Sequence, residues 1–370
     1  MTDLTTRICG LELKNPFVLA SGPLSYNGAA LLRAHHAGAG AVVTKTICKE
    51  AARNPLPHIA KLPNGLLNGE KWSDLPARTW IDHEIPLAKE GGATVIASVG
   101  LETSQVKALA QSLAAAGADA LEICSYAASE MVPMVKEAVR QVDIPVFAKV
   151  SANWPDVAAV AAECLREGAS GITAIDSVGP ALRLDIERRE PLLGSGFGWL
   201  SGDAILPISL RVVADVALNT RTPIIGTGGV HHVDDCVEML MAGAHAIGLC
   251  SLPMMTGLGV FTDLATGLAV RLDGLGYAQI QQVIGAALPA LERSKIAPVL
   301  APLLLQEADV SFFLWDESLC TFCDLCVRVC PYEARTAPNQ LNRNQCRLCG
   351  LCASSCPTNA LALQVQSDEA

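Results

Sequence analysis

Through most of the chain one hydrophobic pattern returns: apolar positions spaced three and four apart, then a glycine, then a short unbroken apolar run. "HAGAGAVV", "EGGATVIA", "AAGADALEI", "REGASGITAI" and "MAGAHAIGL" carry the junctions. Each is read as a helix that ends on a left-handed glycine and leads into a strand buried on both faces. The middle glycines, Gly38, Gly92, Gly117, Gly168 and Gly243, lie 54, 25, 51 and 75 residues apart, close to multiples of 25. Two further strands, "DIPVFAKV" and "RTPIIGTGG", enter through proline. Strand starts near Phe17, Ala41, Thr94, Ala120, Val146, Gly171, Pro223 and Ala246 make eight βα units, which predicts an α/β fold of the (β/α)8 barrel type. A doubly wound sheet is the alternative, and it lacks a Gly-x-Gly-x-x-Gly opening a helix after a strand. The intervals 45–93 and 176–222 are about twice the usual length. Sequence inserted after a barrel strand falls on the C-terminal face, so these two are predicted to wall a site.

Charge and composition narrow the partners. The net charge of −10 and the lack of a long basic run argue against nucleic acid or an anionic membrane as partner. No apolar run approaches the roughly 18 residues that a membrane span needs. The start, "MTDLTTRICGLELKNPF", has no basic-then-apolar layout, so export is not expected and a cytoplasmic location is. Fourteen cysteines without export point to metal or catalysis rather than disulfides.

Eight of those cysteines fall into one scheme. "CTFCDLCVRVCP" is matched sixteen residues on by "CRLCGLCASSCP", each reading Cys-x2-Cys-x2-Cys-x3-Cys-Pro. Zinc prefers pairs of Cys-x2-Cys knuckles set well apart, and three closely spaced thiolates plus a fourth do not suit it. They suit a cubane whose fourth iron is held by the last cysteine of the other motif. Cys320, Cys323, Cys326 and Cys356 are therefore expected to hold one [4Fe–4S] cluster, and Cys346, Cys349, Cys352 and Cys330 the other. The tail, roughly residues 312 to 365, resembles bacterial two-cluster ferredoxins. The expected division is a barrel over 1–311 and a ferredoxin-like domain over 312–370.

"PIIGTGGVHHVDDCVEML" reads as a strand, a glycine turn and a helix, a layout whose free N–H groups can seat a phosphate. It follows strand 7 of the count, where barrel phosphate sites usually lie. "KNPFVLASGP", "VVTKTIC", "LLNGE", "PVFAKVSAN", "GWLSGDAILPISLRVV", "GTGGV" and "GLCS" together resemble the FMN barrel of the dihydroorotate dehydrogenases. They look most like the dihydropyrimidine dehydrogenase branch, whose bacterial catalytic subunit also carries a two-cluster ferredoxin. The resemblance implies that Ala20, Ser21, Thr46 and Asn68 meet the flavin, and that Lys45 and Lys149 face its ring. It implies further that Gly202, Gly228, Gly229, Cys250 and Ser251 hold the ribityl phosphate and that Ser201 also meets the cofactor. The residues point the same way for the lysines: "VVTK" and "VFAK" each set one cation at the end of a buried strand.

Asn68 and Glu70 match the family's substrate face, but other positions there depart from it. Where the family reads roughly Asn-x-Ser-Cys-Pro after strand 4, followed by a loop bearing the acid cysteine, this chain reads "LEICSYAASEMVP". Cys124 stands for the asparagine, Tyr126 for the serine and Ala127 for the catalytic cysteine. After strand 6 the family's Asn-Ser/Thr pair is Asp176 and Ser177. A changed substrate is the reading these departures favour, with Tyr126 as proton donor and Cys124 lining the pocket. The implied activity is reduction or oxidation of a C=C or C=N bond conjugated to a carbonyl in a small nitrogen heterocycle. Without a dinucleotide fingerprint, the expected electron source is an NAD(P)H-oxidising flavoprotein subunit or a ferredoxin, in a homo- or hetero-oligomer. The rival reading is a non-catalytic subunit whose FMN and clusters pass electrons between partners. Cys9, Cys164 and Cys236 are expected to pack as small apolar groups, and Cys48 to approach the site.

Overall fold

The computed structural model describes residues 1–296 and 312–364. The chain divides into two compact units, Met1–Glu292 and Arg293–Ala370. The boundary expected after residue 311 falls outside the described residues.

In the first unit eight parallel strands close into a barrel. In chain order they are Phe17–Leu19, Ala41–Val43, Val95–Gly100, Ala120–Cys124, Val146–Val150, Gly171–Ala174, Ile224–Thr227 and Ala246–Leu249. They are called strands 1 to 8 below, and all begin at or next to the residues expected. The glycine rule holds as well: Gly38, Gly92, Gly117, Gly168 and Gly243 all have φ between 83° and 112°. That conformation lets each helix stop and turn into its strand without a Cβ clash.

Alternation along the strands sorts the barrel interior into layers. Val18, Val43, Ile96, Ala120, Phe147, Ile225 and Ala246 pack together at its lower end, where they meet Ile8 and Leu13. Those two come from a hairpin, Thr6–Ile8 with Leu11–Leu13, that plugs the floor. Two residues further along the strands the same inward parity carries Ser98, Glu122, Lys149 and Thr227, all buried polar groups. A second, larger core lies between the strands and the surrounding helices.

The two long insertions meet each other. Ile59–Leu62 and Gly65–Asn68 from the first join Val178–Ala181 and Gly198–Ser201 from the second in one antiparallel sheet. Glycine permits the junction. A Cβ on Gly65 (φ 140°) would fall 2.0 Å from the Ser201 carbonyl oxygen, and one on Gly202 (φ 101°) 2.4 Å from Gly65 Cα.

The second unit is built from two antiparallel pairs, Phe312–Trp315 with Leu361–Gln364 and Arg335–Ala337 with Gln340–Leu341. Its described residues also form two single-turn helices, Leu325–Arg328 and Leu351–Ser354, and a 3-10 turn at Glu317–Leu319. No helix among the described residues is long and apolar enough to cross a membrane.

Candidate functional site

A cleft of about 1090 Å³, its open mouth included, lies at the C-terminal ends of the barrel strands. The barrel residues singled out from the sequence for the site line it, Cys48 excepted. These are Ala20, Ser21, Lys45, Thr46, Asn68, Glu70, Cys124, Tyr126 and Lys149, with Asp176, Ser177, Ser201, Gly202, Gly228, Gly229, Cys250 and Ser251. Strand ends supply most of them, and Asn68, Glu70, Ser201 and Gly202 come from the paired insertions. The insertions do wall the cleft.

The two lysines are 6% exposed, and each is matched by carboxylate. Lys45 Nζ lies 2.5 Å from Glu70 Oε2, with His58 Nε2 4.0 Å from the other oxygen. Lys149 Nζ lies 3.6 Å from Asp176 Oδ1 and 3.9 Å from Glu122 Oε1. Burial opposes the Lys149 charge, but the Asp176 and Glu122 carboxylates outweigh it and raise its pKa. Glu122 is pushed up, first by its burial and against the pull of Lys149. Its Oε1 accepts no hydrogen bond among the described residues. Glu122 thus stands beneath the cleft as an enclosed partner for the lysine.

At one end of the cleft the wall is backbone. Gly228 (φ 112°) and Gly229 (φ 90°) follow strand 7, and their amides donate to no backbone carbonyl of the described residues. A Cβ on Gly229 would meet Leu206 N and Cα at 2.4 Å, and one on Gly22 would meet Cys250 Sγ at 2.5 Å. Ser251 starts a helix after strand 8, and its hydroxyl donates to Ser201 Oγ at 2.7 Å. Free amides, hydroxyls and a helix start gathered at one end are the donor set an anionic phosphate needs. With two cations at the strand ends beside them, the residues fit FMN.

At the other end the wall is side chain. Strand 4 ends at Cys124, and helix Ala128–Gln141 begins after residues 125–127, so the shortened loop is reduced to a turn. The strand does not continue to Tyr126, as sharing a side along it would have required. Cys124 is buried while Tyr126 is 56% exposed, stacked on Trp199 with ring centroids 5.4 Å apart. Both still line the cleft. Burial first, then Asp176, raises the pKa of the Cys124 thiol, whose Sγ lies 3.7 Å from Asp176 Oδ2. Desolvation, followed by Cys124 and Asp176, likewise raises the pKa of the Tyr126 phenol. Asp176 Oδ1 also accepts from the Ser177 amide at 2.8 Å.

Cys48 does not reach the cleft; it is buried, with its thiol 3.5 Å from the Gly100 carbonyl oxygen. Cys164 and Cys236 are fully buried in the larger core. Cys9 sits in the turn of the floor hairpin and is only partly buried, its thiol donating to Ser170 O. Trp72, Trp199 and Glu122 join the site without having been marked by the sequence. The tryptophans could have been marked, because an aromatic residue in an insertion expected to wall a site has an obvious place to go.

In the second unit the eight cysteines surround two hollows. Cys320, Cys323, Cys326 and Cys356 line one of about 310 Å³, and Cys330, Cys346, Cys349 and Cys352 line another of about 300 Å³. The last cysteine of each motif lines the other motif's hollow. All eight are free of disulfides. Among the described residues no three ligand side chains converge as a single ion would require. Backbone N–H groups point at sulfur: Ala334 donates to Cys330 Sγ at 3.3 Å and Leu348 to Cys346 Sγ at 3.4 Å. Thiols spread round a hollow and met by amides fit a cubane cluster.

Comparison with known proteins agrees with both units. A family model described as dihydroorotate dehydrogenase matches residues 3–272. One described as a 4Fe-4S binding domain matches residues 313–336 and 340–362. Among curated relatives, the catalytic subunit of dihydroorotate dehydrogenase B (NAD(+)) from Pyrococcus abyssi is 35% identical, over 77% of this chain and 99% of its own length. The subunit of the same name from Methanosarcina acetivorans is 36% identical, over 75% and 94%. That from Thermoplasma acidophilum is 33% identical, over 78% and 100%. The chain is therefore an FMN- and [4Fe–4S]-dependent oxidoreductase acting on CH–CH bonds, and it belongs to the dihydroorotate dehydrogenase family.

Proposed function

We propose that this member of the family acts on a small, uncharged nitrogen heterocycle, in the manner of the dihydropyrimidine dehydrogenases, reducing or oxidising a C=C or C=N bond conjugated to a carbonyl. The observation that carries the reading is the pairing of both buried cations. Lys45 with Glu70 and Lys149 with Asp176 leave neither lysine alone for an anionic ring substituent. Asp176 as a carboxylate only accepts hydrogen bonds, so the ligand would present an N–H there, as a lactam or amidine does.

FMN, when bound, would supply two-electron chemistry at a ring carbon, and the clusters would carry the electrons one at a time. The phosphate would lie against Ser201, Gly202, Gly228, Gly229, Cys250 and Ser251, and Ala20, Ser21, Thr46 and Asn68 would meet the rest of the cofactor. Lys45 and Lys149 would face its ring. The clusters would be held by Cys320, Cys323, Cys326 and Cys356, and by Cys330, Cys346, Cys349 and Cys352. Asn68, Glu70, Asp176 and Ser177 would bind and orient the substrate. The Tyr126 hydroxyl would hold the proton for the other atom of the attacked double bond, kept on oxygen by its raised pKa. The turn over 125–127 has no room for the acid-bearing loop of the family, which supports a donor from the strand end itself.

A partner subunit or ferredoxin would supply or take the electrons. The relatives' names, each a catalytic subunit of an NAD(+)-linked enzyme, support that reading, as does the lack of a dinucleotide fingerprint here. A second reading, a subunit that only passes electrons between partners, draws on Ala127 in place of the acid cysteine. Anaerobic re-oxidation of the reduced protein by a panel of unsaturated heterocycles, with orotate included, separates them. Re-oxidation by an uncharged lactam supports the proposal. Orotate as the sole oxidant overturns the substrate reading, and no oxidant at all favours the relay.

A further inference from the structure

The cluster-bearing unit repeats itself with an offset of 26 residues: Cys320 to Cys346, Cys323 to Cys349, Cys326 to Cys352 and Cys330 to Cys356. The backbone follows the sequence. Phe322 and Leu348 both have φ 53°, Asp324 and Gly350 both cap a short helix from the left-handed region, and Glu333 and Asn359 have φ 51° and 55°. The strand pairing repeats too. Trp315 is opposite Leu361 in one pair, and its counterpart Leu341 is opposite Arg335 in the other. The two halves thus share a backbone plan, and at one buried position of the paired strands an apolar side chain in one half is matched by a charged one in the other. Leu361 is 4% exposed, and so is its counterpart, Arg335.

A guanidinium is always charged and offers only donors. Arg335 Nη1 donates to Pro338 O at 2.5 Å, and its Cζ lies 5.2 Å from the centre of the Phe313 ring. Nε and Nη2, both buried, have no acceptor among the described residues. Buried unpaired donors are costly, so an acceptor is called for. Arg335 lines the hollow of Cys330, Cys346, Cys349 and Cys352 together with Arg347, and neither lines the other, although the Arg335 charge is also felt at Cys326. The first hollow has an orphan donor of its own in Trp315 Nε1, but that donor is neutral.

We propose that Arg335 makes the cluster at Cys330, Cys346, Cys349 and Cys352 the more easily reduced of the two. Reduction adds negative charge to a cluster, and a buried cation with free donors beside it favours that form. In its place the other half carries a leucine, which can do neither. The asymmetry gives electrons entering the unit a preferred resting place. The inference rests on the cluster ligands proposed above and is independent of the substrate.

The test is an anaerobic redox titration of the full-length holoprotein followed by electron paramagnetic resonance, with iron and acid-labile sulfide measured on the same samples. The metal content checks the cluster reading separately from the potentials. Wild type should show two midpoint potentials. Arg335→Leu should lower the upper one by at least a tenfold change in its equilibrium, about 59 mV for a one-electron couple, and narrow the gap. Leu361→Arg should raise the lower potential, and Arg335→Lys should retain part of the wild-type gap. If Arg335→Leu loses iron, Arg335→Gln is read in its place and must show the same direction of shift. Two potentials unmoved in an iron-replete Arg335→Leu or Arg335→Gln protein, or a fall in the lower potential alone, would overturn the proposal.

Discussion

The two ends of the barrel cleft are built from different material. One end presents backbone: the Gly228–Gly229 turn, the start of the helix at Ser251, and glycines packed where a Cβ would strike main chain. The other presents side chains: Cys124, Tyr126 stacked on Trp199, and Asp176 bound to Lys149. A backbone site tolerates little change, because each glycine is tied to a conformation and a close approach. A side-chain site on the same strand ends can change its chemistry by single substitutions. A barrel built in this way can keep one end for a cofactor while the other is free to vary its ligand, which is the division the proposed function relies on.

The largest effect should come from the ion cluster that joins the ends. Lys149→Met would leave Glu122, 2% exposed, and Asp176 without their cation. Breaking a buried pair in this way costs about 3–5 kcal/mol, to be read from the denaturant midpoint. A variant as stable as wild type would mean that Glu122 is protonated and the pairing matters little. Next, Gly229→Ala tests the backbone end: φ is 90°, and the new Cβ would meet Leu206 at 2.4 Å. A loss of about 1–3 kcal/mol is expected, with FMN content falling together with stability. Full FMN occupancy would deny that the backbone shapes this end.

Tyr126→Phe tests the side-chain end without disturbing the other. FMN content and reduction by the partner should stay intact, while re-oxidation by substrate slows at least about tenfold, a modest share of what a positioned acid supplies. If Cys124→Ser is inactive and Tyr126→Phe is not, their roles are exchanged. If neither variant is impaired, the proton comes from the insertions.

Much of the fold and of the cofactor end is legible in the amino-acid sequence. Strand starts and turn glycines follow from local periodicity, which a single stretch of chain contains whole. The eight cysteines are legible because ligand spacing within a tight loop is also local. What stays hidden depends on distant segments meeting. Trp199 joins Tyr126 across 73 residues, and His58 approaches Glu70 only because the insertion forms a hairpin. Glu122 in "ALEIC" looks like a solvated charge until the strand is known to be part of a closed barrel. There, the parity it shares with Ala120 turns it inward. Ending strand 4 at Cys124 is likewise beyond a pattern of apolar residues, since the helix that follows decides it.

The account turns on Asp176, and one comparison tests it most directly: anaerobic re-oxidation by uracil of the reduced wild type and of Asp176→Asn. A carboxylate cannot donate to the ring carbonyl that an amide would satisfy, and an unpaired buried partner costs roughly 1–3 kcal/mol. Reduced wild type should therefore be re-oxidised poorly by uracil, and Asp176→Asn roughly 5- to 150-fold faster, that energy expressed as a ratio. Wild type reacting with uracil as fast as with every other heterocycle, with no gain in Asp176→Asn, would contradict the account.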